Sequence, residues 1–379
     1  MCIRDSTTSD RNEHVAPGQS IRFDSNPLQR TLTEVFGTVS SAVSEQKPSA
    51  SPGRPSRARL YERVDEQITD LWERLGGLPT PAEAQDIWRG LWFEEAHHST
   101  AIEGNTLVLK QVEALLEQGR AVGNKELAEY MEVKGYADAA DWVYQQARGP
   151  TMAEGREVLT LAELRNIHNM ALGPVWDVKP HPQATAKEQP GSFREHDIQS
   201  FPGGMTPPSW PLIQAEVDQW LSQVNGLTRN GPGLVEELAE LHATFERIHP
   251  FLDGNGRAGR LALNLILVRM GYPPVIVYKR DRSRYLTALR RADAGDPGAL
   301  GELLARSILD NLYRFVVPAV AGPARIVPLA ALANEHISSA ALRTAANRGR
   351  LQATRGANGE WRSSRNWVED YLAGKYLRD

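Results

Sequence analysis

The chain has 379 residues, enough for two or three domains and a real core. Its formal net charge of −4 excludes a protein that coats nucleic acid over its whole surface. No apolar run of about 18 residues occurs and the start lacks the apolar stretch of a secretory signal, so neither a membrane span nor a leader is expected. A single cysteine, Cys2, excludes an internal disulfide and a cysteine-based zinc site, and fits a reducing cytoplasm. Met1-Cys2-Ile3-Arg4-Asp5-Ser6 resembles a translated sequencing adapter rather than a native start and is set aside.

Residues 1–57 are rich in Ser, Pro and Thr and are predicted to be disordered, with a short helix near Leu32 to Val43 and order beginning near Ala58. From there to about Arg314 the apolar residues keep helical spacing: Ile68, Leu71, Trp72 and Leu75, then Val112, Leu115 and Leu116, then Leu161, Leu164, Ile167 and His168. Gln189 to Arg194, His196 to Ser200 and Pro202 to Gly204 break that pattern and predict a short extended hairpin or flap. Leu234, Leu238, Leu241, Phe245 and Ile248 predict a helix that runs straight into His249. A further helix fits Gly256 to Met270, with Gly271 to end it and Pro273-Pro274 to block continuation. Pro318 to Pro328 has linker composition. Beyond it, a short helix over Leu329 to Asn334, a second capped by Ser338 or Ser339, a hairpin around Gly356 to Gly359 and a last helix with Trp367, Val368, Tyr371 and Leu372 are expected. The fold class is therefore mainly α.

Residues 249–260 concentrate the chemistry. Arg257 and Arg260 lie in the first turn of the predicted helix, where the dipole is positive and the N–H groups lack partners. Two arginines there repel the dipole and each other, a cost that a bound anion converts into a gain. Gly254 and Gly256 let backbone approach a ligand closely, and Asn255 adds a neutral hydrogen-bonding group. Asp253 opposes a bare phosphate but suits a divalent cation, Mg²⁺, shared between a carboxylate and phosphate oxygens. His249 can take the proton of an attacking hydroxyl. The loop alone thus points to nucleotide transfer onto a hydroxyl. Gly254 to Gly259 also matches G-x-G-x-x-G, but the segment before it has helical period and ends in Pro250, which excludes a dinucleotide fold.

These residues resemble the signature of the Fic/DOC family, H-x-F-x-[DE]-G-N-G-R-x-x-R, at every fixed position, and the resemblance extends over roughly residues 60–315. It implies a helical core with a β-hairpin flap and transfer of AMP from ATP to a Ser, Thr or Tyr hydroxyl of a target protein. On that resemblance His249 is the general base, Asp253 the Mg²⁺ ligand, Gly254 to Gly256 with Asn255 the α- and β-phosphate site, and Arg257 and Arg260 the β- and γ-phosphate site. Phosphorylating relatives carry Lys at the second glycine; Gly256 here favours nucleotidyl transfer. Gly191, Ser192, Phe193 and Arg194 resemble the flap that docks a target segment through main-chain pairing. Tyr285 also fits a family pattern.

Ser99-Thr100-Ala101-Ile102-Glu103-Gly104 resembles the family's inhibitory helix, [ST]-x-x-x-E-[GN]. Ser99 and Glu103 share a helix face, and Glu103 is expected to pair with Arg260 and misalign ATP. The C-terminal segment resembles a small winged helix-turn-helix module of bacterial proteins: Ser338 to Arg365 holds six arginines against one acid, Glu360, a local +5. Arg343 and Arg348 would lie on the recognition helix, and Arg355 and Arg362 would touch DNA phosphates from the wing. The expected layout is 1–57 disordered, 58–150 helical with the inhibitory helix, 151–317 the Fic core and 327–379 the winged module; the family also suggests a homo-oligomer. Three functional readings follow: an AMP transferase checked by Glu103, the same loop with another nucleotide donor or with AMP removal, and a DNA-binding regulator whose core senses a ligand.

Overall fold

The computed structural model describes residues 56–147, 157–201, 204–228, 233–322, 325–356 and 359–376, all within one compact unit. The helix expected near Leu32 to Val43 lies outside the described residues. No described helix is long and apolar enough to cross a membrane.

In chain order the helices are α1 (Arg57–Leu75), α2 (Gln85–Ile102), α3 (Leu109–Gln118), α4 (Leu127–Tyr144), α5 (Leu161–Val178), α6 (Ile213–Asn225), α7 (Leu234–Ile248), α8 (Asn255–Arg269), α9 (Arg282–Asp293) and α10 (Gly298–Asn311). Local chemistry sets their ends. The Ser56 side chain caps α1, and Gly76 closes it in the left-handed conformation. Thr160 and Glu163 form a reciprocal capping box on α5. The helix α8 is buried almost all round, from Arg257 to Arg269, and packs against α2, α4, α5 and α7. A helix with no solvated face must be central, so the loop that opens it lies at the heart of the molecule. The α4–α5 pair is close enough that a Cβ on Gly135 would fall 2.6 Å from the Ala171 carbonyl oxygen. One apolar core runs from Leu60 to Ala331, across the boundary expected at residue 150. The segments expected as 58–150 and 151–317 therefore share a single packed core.

Three expectations need correction. The first is the flap, which has no strand among its described residues: its turn is closed by Phe201 N–H to the Met205 carbonyl (2.9 Å). Side chains spend the groups a ladder would use, Glu188 taking the Glu195 N–H (2.7 Å) and Asp197 the Trp210 N–H (2.7 Å), and Pro207 and Pro208 have no N–H to give. The second is the linker after residue 317. The chain leaves α10 through a π-helical turn (Leu312–Val316) into α11 (Val317–Val320), and Val327–Pro328 forms strand β1.

The third concerns the C-terminal module. It holds a 3-10 turn (Leu329–Leu332), α12 (Ser339–Asn347, capped by Ser338), β2 (Thr354–Arg355), β3 (Trp361–Ser363) and α13 (Arg365–Tyr376). The sheet order is β1-β3-β2, antiparallel, with Pro328 and Thr354 both opposite Arg362. The module has a small core of its own around Ile337, Leu342, Leu351 and Val368. It is also pinned to α1 by Arg63–Glu360 (2.7 Å) and Arg362–Asp70 (2.8 Å). Arg362, expected to meet DNA phosphate, is instead half of an ion pair between β3 and α1.

Candidate active site

The helix α7 ends at His249, whose backbone is left-handed (φ 49, ψ 60), the one such non-glycine among the described residues. That conformation costs an L residue about 1–2 kcal/mol, so neighbours must hold it. The His249 N–H donates to the Phe245 carbonyl (3.0 Å), and its own carbonyl accepts from Arg194 Nε (3.0 Å). Arg194 is 1% exposed. Its other nitrogens donate to the carbonyls of His196 (2.9 Å) and Pro208 (2.6 Å), and its backbone N–H donates to that of Pro250 (2.9 Å). The Arg194 side chain is thus spent on main-chain oxygens of this chain. It is the strut that fixes His249.

The His249 ring is buried with its edge against Phe201 (4.7 Å between centroids). Nδ1 lies 3.2 Å from the Glu246 carbonyl, an acceptor, so Nδ1 carries the proton and Nε2 presents a lone pair. Burial pushes its pKa down to about 3, so the ring is a neutral base at pH 7.

Gly254 (φ 77) turns the chain into α8, and Leu172 of α5 fills the space its Cβ would need (2.4 Å). The first backbone bond of that helix runs from Ala258 N–H to the Gly254 carbonyl (2.9 Å), so the N–H groups before it have no helical acceptor. Asn255 departs from expectation. Its side chain grips the Phe251 backbone, accepting from N–H (2.9 Å) and donating to the carbonyl (2.8 Å). It closes the loop, and only its main chain is left for a phosphate.

Both arginines are held by carboxylates. Arg260, 4% exposed, donates to Ser99 Oγ (2.7 Å), to the Ser99 carbonyl (3.0 Å) and to Glu103 Oε1 (2.9 Å). This is the pairing that the resemblance of residues 99–104 to the family's inhibitory helix implies. Burial alone would raise the Glu103 pKa, but the two guanidinium groups hold it below the usual carboxylate range. The Glu103 carboxylate lies 2.6 Å from where a Cβ on Gly256 would stand, inside the anion loop itself. Arg257 pairs with Glu132 of α4 (2.6 Å) and more loosely with Asp253 (3.4 Å), and its Nε is buried without a partner. Glu132 also accepts from Asn105 (3.0 Å), two residues after Glu103. Sequence reading missed Glu132; its signal is an acid set between the buried Tyr130, Val133 and Tyr136 of α4.

Asp253 accepts the Gly254 N–H (2.6 Å) and the Arg257 contact on the same oxygen, Oδ1, and its side chain is 40% exposed. No set of three or more His, Cys, Asp or Glu side chains gathers for a metal among the described residues. One open carboxylate beside an anion site fits Mg²⁺, which takes most of its ligands from phosphate and water. Behind His249, His242 Nε2 and the Tyr285 hydroxyl are hydrogen-bonded (2.7 Å), and burial raises Glu246 to about 7.

A neutral base, a helix N-terminus and two arginines now stand together. Residues 158–267 match the family model described as Fic/DOC family. Residues 158–267 are a Fic/DOC-family domain. The chain is 31% identical over 282 residues to the protein adenylyltransferase Fic of Drosophila grimshawi and 32% identical over the same length to that of Drosophila melanogaster. Each alignment covers 72% of this chain and 54% or 53% of the relative, so the Fic-domain chain spans about half the length of those curated relatives. Among solved structures it resembles Fic-1 from C. elegans (TM-score 0.52, 26% identity, 69% of this chain and 70% of that one). It also resembles a Fic domain containing signaling protein from Bacteroides thetaiotaomicron (TM-score 0.53, 26% identity, 66% and 95%).

Proposed function

We propose that this Fic-domain protein transfers AMP from ATP to a Ser, Thr or Tyr hydroxyl of a target protein and that Glu103 restrains the reaction. The observation that carries the reading is the neutral His249, whose Nδ1 donates to the Glu246 carbonyl and leaves the lone pair on Nε2, in the same loop as the N–H groups that open α8 without a helical acceptor. The hydroxyl oxygen attacks the α-phosphorus, the bond to the α,β-bridging oxygen breaks, pyrophosphate leaves and His249 Nε2 takes the hydroxyl proton. The backbone at Gly254 to Gly256 would bind the α- and β-phosphates, and Arg257 and Arg260 would neutralise the charge that collects on the leaving group. Asp253 would hold Mg²⁺, which would share that neutralisation. Glu103 occupies Arg260 and the space over Gly256, so ATP must displace it to lie productively.

The test is label retention by the Glu103→Gly chain from ATP labelled at the α- or the γ-phosphate. Retention of α label alone supports AMP transfer, retention of γ label overturns it in favour of phosphoryl transfer, and retention from UTP or GTP instead reassigns the donor. Release of AMP from a premodified protein by the parent would favour the removal reaction.

A second reading concerns the C-terminal module alone. Arg343 on α12, Arg348 at its C-terminal cap and Arg355 on β2 are exposed, next to a two-stranded wing. We infer a contact with DNA phosphates through these three and not through Arg362, which Asp70 holds. An electrophoretic shift that survives Arg343→Ala/Arg348→Ala would defeat it.

A further inference from the structure

The histidine on the apolar face of α5 is not a packing residue alone. His168 is 3% exposed and its ring lies flat on Phe251, with centroids 3.7 Å apart and planes at 9°. Its Nδ1 accepts the Gly191 N–H (2.7 Å), so Nδ1 bears no proton. The proton is on Nε2, which donates to the Asp253 carbonyl (2.8 Å). Gly191 belongs to the flap, and the Asp253 carbonyl belongs to the peptide that leads into Gly254 and the anion loop. Both neighbours are packed onto the same helix. A Cβ on Gly191 (φ 87) would meet the Arg165 carbonyl at 3.2 Å, and one on Gly254 would meet Leu172 at 2.4 Å.

We propose that His168 is a positioning residue that ties the flap and the anion loop into one register. The inference rests on the AMP-transfer reading for its kinetic consequence. The flap brings the acceptor hydroxyl and the loop brings the α-phosphate, and a small misplacement of either is costly in rate. Only a side chain with an acceptor and a donor about 2 Å apart can serve both partners at once, which a neutral imidazole does and an aliphatic or phenyl ring does not.

Two substitutions separate the two bonds. Asparagine puts an amide oxygen near the Nδ1 position, and glutamine puts an amide nitrogen near the Nε2 position. In a Glu103→Gly background, His168→Asn is expected to keep the Gly191 amide protected from hydrogen exchange while weakening Mg-ATP binding about tenfold. His168→Gln is expected to keep Mg-ATP affinity and lose the Gly191 protection. His168→Phe, which preserves the stack on Phe251, is expected to lose both. Transfer of α label should slow about ten- to a hundredfold in all three. If His168→Asn and His168→Gln shift the two readouts alike, or His168→Phe leaves them unchanged, His168 only packs and the inference is overturned. A Glu103→Gly chain that binds no Mg-ATP would defeat the nucleotide reading instead, and the Gly191 exchange would still decide whether His168 holds the flap.

Discussion

Arginines serve two different ends in this molecule. At the start of α8, Arg257 and Arg260 are almost wholly buried and each meets a carboxylate. In the C-terminal module, Arg343, Arg348 and Arg355 stand in solvent, and Arg362 is drawn down onto Asp70. Charge at the surface is screened and contributes little, whereas a buried guanidinium carries a desolvation cost that its partner must offset. A ligand that replaces Glu103 inherits that stake. The same residue type is thus buried against carboxylates in one place and solvent-exposed in the other.

The largest expected effect breaks the buried side of this contrast at its base. His249→Ala in the Glu103→Gly background should lower label transfer by about a thousandfold while Mg-ATP still binds, as calorimetry would record. An equal loss of ATP affinity would make His249 a binding group. Next, Arg194→Ala leaves the buried His249 carbonyl and the part-buried His196 and Pro208 carbonyls unpaired, and urea unfolding should report a loss of about 3 kcal/mol. A change below about 1 kcal/mol would show that the loop does not depend on this strut.

Acid should act on the same corner. Burial lowers His168 to about 4 and His242 and His249 to about 3, below the 6.5 of an unfolded chain. The unfolded chain therefore takes protons first, and stability present at pH 7 is lost as pH falls through 6.5, by about 2 kcal/mol per histidine at pH 5. Glu246, raised to about 7 from 4.5, works in the opposite sense between those values and offsets roughly one histidine. Melting temperature should fall between pH 6.5 and 4.5, and Glu246→Gln should steepen the fall. A flat profile would contradict the burial of these rings. The smallest effects belong to the surface. Arg362→Ala should cost about 1 kcal/mol through the lost Asp70 pair, and Arg343→Ala should change stability by less than about 0.5 kcal/mol.

What the sequence shows and hides follows the same division. The loop from His249 to Arg260 was legible from its residue types and spacing, and the Glu103–Arg260 pairing from the resemblance of residues 99–104 to the family's inhibitory helix. The commitment of Asn255 to Phe251, the burial of Arg194 and the Glu132–Arg257 pair were not, since side-chain direction depends on which distant element packs above. His168 shows this most clearly: at helical spacing with Leu161 and Leu164 it reads as one more inward residue. Only the arrival of Gly191 and Asp253 at its two nitrogens gives it a role. The flap was read as a hairpin because Gly and Pro punctuation is local, while the side chains that consume its hydrogen bonds are not.

The most direct measurement is transfer of α-³²P label from ATP with Mg²⁺ to the parent, Glu103→Gly and Glu103→Gly/His249→Ala chains side by side. The account predicts strong labelling of Glu103→Gly, at least about tenfold above the parent, and none above background in the double variant. Equal labelling of parent and Glu103→Gly would contradict the restraint by Glu103, and labelling of the double variant would contradict His249 as the base.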